Sequence, residues 1–131
     1  MQVGICGYSA SGKSTVFQAL APGAPVGRGL CRGNVKVPDE RVNRLAEIFE
    51  PKKITFAEVN FLDVGGSGGR AGNAFPPETV QHMRNADVLV HVVRAFGRAD
   101  PSEVEVDLAN FNDELVLLDH AIVERRGDRF R

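Results

Sequence analysis

Eight residues near the N-terminus, Gly7-Tyr8-Ser9-Ala10-Ser11-Gly12-Lys13-Ser14, set two glycines, a lysine and a hydroxyl in the spacing G-x-x-x-x-G-K-[ST]. The chemistry open to that spacing is the holding of a polyphosphate. Glycines let successive backbone N–H groups converge on phosphate oxygens, and a helix starting at the second glycine adds positive potential. In this arrangement Ala10, Ser11, Gly12, Lys13, Ser14 and Thr15 would face the phosphates. Lys13 would reach the terminal oxygens as the candidate catalytic group, and the Ser14 hydroxyl would hold Mg2+. The expected ligand is a nucleoside triphosphate.

A second constellation lies at Phe61-Leu62-Asp63-Val64-Gly65-Gly66. An acidic residue closing an apolar strand, written D-x-x-G, is the form in which G-protein-like NTPases place their second metal-site group. Asp63 would join Ser14 at the Mg2+ site, mainly through a coordinated water. Gly66 would use its backbone N–H to sense the terminal phosphate and throw the following loop between two states. Other chemistry-bearing residues are less informative. His82, His91 and His120 lack partner patterns and read as core or surface histidines rather than proton shuttles. Arg28 and Arg32 read as solvated loop arginines, with phosphate contact as the alternative. No H-E-x-x-H or C-x-x-C occurs, which argues against a structural metal.

The elements that must position these groups follow from patterning. Val3-Gly4-Ile5-Cys6 reads as a buried parallel strand, and Thr15 to Leu20 as the opening of a helix stopped by Pro22 and Gly23. Residues 21–34 are rich in glycine and proline and read as a mobile loop, followed by a short strand at Val35-Lys36-Val37. Asp39 caps a helix whose apolar positions are Val42, Leu45, Ala46, Ile48 and Phe49, ended by Pro51. Residues 54–64 form a strand, 65–77 a second glycine-loaded loop, and Pro77 to Asn85 a short helix. The β-branched run Val88-Leu89-Val90-His91-Val92-Val93 reads as a buried central strand. Pro101 to about Arg126 is a long helix with Val104, Leu108, Phe111, Leu115, Leu118 and Ile122 on one stripe, which core packing explains more simply than a partner-binding arm. Gly127 is its expected stop. Alternating strands and helices predict an α/β, three-layer P-loop NTPase fold with a mostly parallel sheet.

Bulk properties set limits. The 131 residues fit one domain, and a net charge of −1 gives no basic field that would argue for nucleic acid. Cys6 falls in the apolar first strand as a buried free thiol, and Cys31 in the glycine-rich segment. Two such cysteines suggest a reducing cytoplasm rather than a disulfide framework. No apolar run is long enough for a membrane span. The apolar N-terminus runs directly into the phosphate loop, so a signal peptide is not expected.

The sequence resembles the N-terminal part of the YchF / Obg-like ATPase family, a branch of the G-protein-like P-loop NTPases. The matching pieces are Gly4-Ile5-Cys6-Gly7 leading into Gly12-Lys13-Ser14-Thr15, and Val37-Pro38-Asp39-Glu40-Arg41 with Leu45-Ala46-Glu47-Ile48 and Pro51-Lys52. Phe61-Leu62-Asp63-Val64 and His91-Val92-Val93-Arg94-Ala95-Phe96 also match, and Asn112 to Asp119 fits the helix that begins the family's coiled-coil arm. The resemblance implies binding of ATP or GTP, weak intrinsic hydrolysis and association with ribosomes or translation factors.

Departures from the family pattern open a second reading. The segment between Pro25 and Val35 is shorter than the family's first switch and lacks the threonine that closes over Mg2+; the only threonines are Thr15, Thr55 and Thr79. Ser67 replaces the residue after D-x-x-G, and Ser11 an aliphatic residue in the first loop. The base-reading Asn-Lys-x-Asp motif, carried on a later strand in G domains, does not occur. A sheet ending at its fourth strand would leave residues 88–93 as an apolar edge, so a shortened gene product or a chain that pairs, with self-association through this edge as one form, is expected. A non-catalytic nucleotide-binding or interaction module is therefore the rival to a weak NTPase. A small-molecule kinase is weaker still, because D-x-x-G before a glycine loop does not cover an acceptor site.

Overall fold

Among the described residues four strands make one sheet, in the order Leu30–Lys36, Glu58–Val64, Gln2–Cys6 and Val88–His91. The computed structural model describes residues 1–25, 27, 29–64, 75–97 and 100–128. Its elements are β1 (Gln2–Cys6), α1 (Lys13–Leu20), β2 (Leu30–Lys36), α2 (Glu40–Phe49), β3 (Glu58–Val64), α3 (Pro77–Arg84), β4 (Val88–His91) and α4 (Ser102–Asp128). β1 pairs in parallel with both β3 and β4, with Ile5 level with Asp63 on one side and Val90 on the other. β2 runs antiparallel to β3, placing Cys31 opposite Asp63. Central β1 has a neighbour on each edge and helices on both faces, so Val3, Ile5 and Cys6 are all buried; a strand in that place is apolar without alternation.

The pleat sorts side chains into two cores. Ile5 joins Phe17, Ala21 and Cys31 under α1. Cys6 joins Leu62, Val64, Phe75, Met83 and Phe111 beneath α3 and α4. The α/β three-layer arrangement and mostly parallel sheet expected from the sequence are therefore present, with β2 as the antiparallel member.

Several element boundaries need correction. The glycine-rich segment does not stay a loop to residue 34: β2 begins at Leu30, and Cys31 is a buried strand residue rather than part of a flexible segment. Pairing to β3 drives this, since seven consecutive register positions outweigh weak local propensity. β3 starts at Glu58, not at residue 54. The run at 88–93 is shorter than expected and not central: β4 covers Val88–His91 and lies at the sheet edge, as expected of a sheet ending at its fourth strand, with Val88, Leu89 and Val90 at 45%, 38% and 36% exposure. A β-branched run reports strand type, not how many neighbours it will have. α4 passes through Gly127 to Asp128, and its stripe is only partly core: Phe111 is buried, while Leu108 is exposed.

α2 is capped as expected, Asp39 Oδ1 accepting from the Arg41 backbone N–H at 2.9 Å. Its apolar periodicity does not mark a buried face, however, since Leu45, Ile48 and Phe49 are all exposed.

Gly33 shows how closely β2 is covered. A Cβ there would stand 2.5 Å from Ala21 Cβ and 3.2 Å from Ala24 Cβ. Gly33→Val is expected to lower stability by about 1–3 kcal/mol through overpacking, measured as a shift in the urea midpoint. An unchanged midpoint would show that the turn after α1 yields freely.

Candidate nucleotide site

The loop between β1 and α1 has the backbone its sequence predicts. Gly7 lies at φ 141 and Gly12, the cap of α1, at φ 100, both in the region that favours glycine. Gly7 is further constrained by its neighbour: a Cβ would come within 2.4 Å of the Val92 carbonyl oxygen. Ala10 takes a left-handed conformation too, at φ 60. Together these turns bring Ser11, Gly12 and Lys13 around the start of α1.

Side chains of the two separate motifs meet here. Ser14 Oγ donates to Asp63 Oδ2 at 2.8 Å, although the residues belong to different elements. The parallel β1–β3 register explains the meeting, because it ends both strands at the same level beside the loop. Lys13 Nζ donates to the Tyr8 carbonyl at 2.6 Å, inside the loop. Lys13, Ser11 and Asp63 are 6%, 4% and 4% exposed. Burial holds the Lys13 ammonium below the usual lysine range, a shift that the Asp63 carboxylate and then Cys6 oppose. Burial likewise pushes the Cys6 thiol up to about 11, against the pull of Lys13, so Cys6 is an inert core thiol rather than a nucleophile.

Two buried oxygens at this point, Asp63 Oδ1 and Ser11 Oγ, have no hydrogen-bond partner among the described residues. Unsatisfied buried groups are costly and commonly mark a ligand or ion position. A carboxylate and a hydroxyl are hard oxygen donors of the kind Mg2+ takes with few protein ligands. The donor set thus fits Mg2+.

Of the other sequence-derived candidates, Thr15 is exposed in the first turn of α1, and Gly66, Ser67 and Arg28 lie outside the described residues. Arg32 is an exposed β2 residue, not a loop residue. His91 is half-buried, its ring stacked on Phe111 at 3.8 Å, and burial holds its pKa below the histidine norm. His120 is exposed near Glu124, with Nδ1 to Oε2 at 3.6 Å.

Sequence reasoning passed over two residues beside the site. Tyr8 occupies an unspecified position of the loop pattern, and Glu114 lies on α4; Tyr8 Oη donates to Glu114 Oε1 at 3.1 Å. No spacing rule links positions so far apart.

A glycine loop joining β1 to α1, a lysine inside it and a carboxylate at the end of β3 define a P-loop NTPase domain of the G-protein type. The chain belongs to the family described as "50S ribosome-binding GTPase", which matches residues 2–123. It is similar to the "Ribosome-binding ATPase YchF" of Bacillus subtilis (strain 168), 33% identical over 98% of this chain and 39% of that protein. It is also similar to "Obg-like ATPase 1" of Schizosaccharomyces pombe, 31% identical over 95% of this chain and 34% of that protein. Among solved structures, that of the Schizosaccharomyces pombe YchF GTPase superposes with a TM-score of 0.66 at 26% identity, covering 96% of this chain and 38% of the other. The resemblance to the YchF / Obg-like ATPase family is borne out. The chain spans about two fifths of the length of the curated YchF relatives it matches.

Proposed function

We propose that this chain binds ATP or GTP together with Mg2+ and hydrolyses it weakly, as a YchF-like regulatory NTPase domain of the cytoplasm. The observation that carries the reading is the 2.8 Å contact of Ser14 with Asp63, which brings together from distant parts of the sequence the two groups that would hold Mg2+. Ser14 and Asp63 would hold Mg2+, which neutralises phosphate charge when bound. Ala10 to Thr15 would cradle the phosphates, with Gly66 sensing the terminal one. Lys13 would face the charge that develops on phosphate oxygens as water attacks. Association with the ribosome or a translation factor follows from the relatives' names and belongs to this reading. So does self-association through the β4 edge. Among the described residues no helix is long and apolar enough to cross a membrane.

One observation favours the second reading, a nucleotide-binding module without turnover. Neither Thr55 nor Thr79 belongs to the segment between α1 and β2, which lacks the threonine a closing switch requires.

Calorimetric titration with ATP and GTP, with and without Mg2+, and phosphate release on the same samples separate the two. The first reading expects Mg2+-dependent binding and release above that of a Lys13→Ala control. Asp63→Asn is expected to cost about tenfold or more of the Mg2+-dependent affinity, as loss of a charged metal-site group should. Binding without release leaves the module, and absence of binding removes both. Light scattering at two concentrations reads the edge pairing.

A further inference from the structure

We propose that Tyr8 is a positioning residue that couples the phosphate loop to α4, so that occupancy of the loop is registered along the helix. The proposal rests on the nucleotide reading above and deepens it by naming where the bound state is transmitted.

Tyr8 works in two directions. Within the loop its carbonyl oxygen accepts from Lys13 Nζ at 2.6 Å and from the Ser11 backbone N–H at 3.3 Å. One carbonyl therefore places both the ammonium and the turn that precedes it. Outside the loop its side chain reaches α4. The hydroxyl donates to Glu114 Oε1 at 3.1 Å, and the ring meets Phe111 edge-on with centroids 5.7 Å apart. Phe111 is 1% exposed and carries the stacked His91 of β4 on the same ring. The loop, β4 and the middle of α4 thus share one aromatic joint.

The joint is suited to transmission. Burial first, and the Glu114 carboxylate second, push the Tyr8 phenol up to about 12, so it stays a donor across the physiological range. Glu114 Oε2 is buried without a hydrogen-bond partner among the described residues, which makes the bond through Oε1 matter more to that carboxylate. A phosphate that draws on Lys13 must share the ammonium with the Tyr8 carbonyl. Any displacement of that carbonyl moves a side chain whose far end is held on α4. By linkage the reverse holds as well: fixing α4 changes affinity at the loop by the same factor. A purely structural Tyr8 would lower stability when altered but would leave α4 indifferent to nucleotide.

Hydrogen exchange by mass spectrometry tests this on the full chain, with and without saturating Mg2+·ATP or Mg2+·GTP. Tyr8→Phe keeps the ring and removes the donor, whereas Glu114→Gln keeps an acceptor oxygen. In the wild type, exchange is expected to slow several-fold at residues 7–20 and also at 108–118. Tyr8→Phe should keep the slowing at 7–20 and lose more than half of it at 108–118, while Glu114→Gln retains most of it. The coupling is overturned if 108–118 does not respond in the wild type, or responds equally in Tyr8→Phe. If 7–20 itself fails to respond in the wild type, the nucleotide reading falls and the coupling falls with it.

Discussion

Lys13→Ala is expected to weaken nucleoside triphosphate binding by about two orders of magnitude, corresponding to roughly 3 kcal/mol for loss of a charge-assisted contact. The same substitution should leave the fold nearly intact. Lys13 is buried, and its ammonium is held below the usual lysine range by desolvation, so the charged group opposes folding more than it supports it. Its ammonium donates to the Tyr8 carbonyl, which keeps the Ser11 N–H as a second donor. Calorimetric titration beside a urea melt separates the two effects. A collapse of stability with affinity retained would assign Lys13 a structural role instead.

The pH dependence has a definite sign. Binding needs the ammonium, so affinity should be full below the folded-state pKa of Lys13 and fall as pH rises through it. That limb lies below the ordinary lysine value of 10.5. In Lys13→Ala the limb should vanish, and its persistence would point to another titrating group.

Phe111→Ala carries the largest expected loss of stability, about 3–5 kcal/mol, because truncating a buried aromatic removes transfer free energy and leaves a cavity. Phe111 is 1% exposed and meets three rings: His91 stacked at 3.8 Å, Phe75 edge-on at 5.4 Å and Tyr8 edge-on at 5.7 Å. Against a total stability of about 5–15 kcal/mol for a domain of this size, that loss is a large fraction. Urea denaturation measures it. Leu117→Ala, six residues along the same helix and 67% exposed, is the control and should stay within about 0.5 kcal/mol. Equal losses at the two positions would mean that α4 is held by its exposed side and not by the aromatic joint.

The contrast between Phe111, 1% exposed, and Leu108, 45% exposed on the same stripe, shows where legibility ended. Both are apolar residues of one long helical pattern, and periodicity alone ranked the stripe from Val104 to Ile122 as equivalent. Burial depends on which turn of the helix passes over β1 and β3, and that is set by contacts with Tyr8, Phe75 and His91. The exposed apolar side of α2 is the same lesson in a shorter helix. For β4 the edge position was legible from the strand order of the fold, whereas its short extent, Val88–His91, was not. β2 extended back to Leu30 because β3 offered a partner, which the glycine-rich run could not announce.

The phosphate loop was determined by the sequence alone, since its geometry is local. Gly7, Gly12, Lys13 and Ser14 act through backbone conformation and side-chain reach within eight residues, and no distant partner is needed to place them. The pairing of Asp63 with Ser14 was legible as an expectation because strand ends and loop starts obey a shared layout. Whether the hydroxyl and carboxylate meet depended on the β1–β3 register, which only the tertiary structure decides. The Tyr8–Glu114–Phe111 joint lay wholly beyond sequence reasoning. Its members come from a position the loop pattern leaves open and from a helix far along the chain. Contacts of that kind arise from packing between layers, where neither period nor motif constrains the choice.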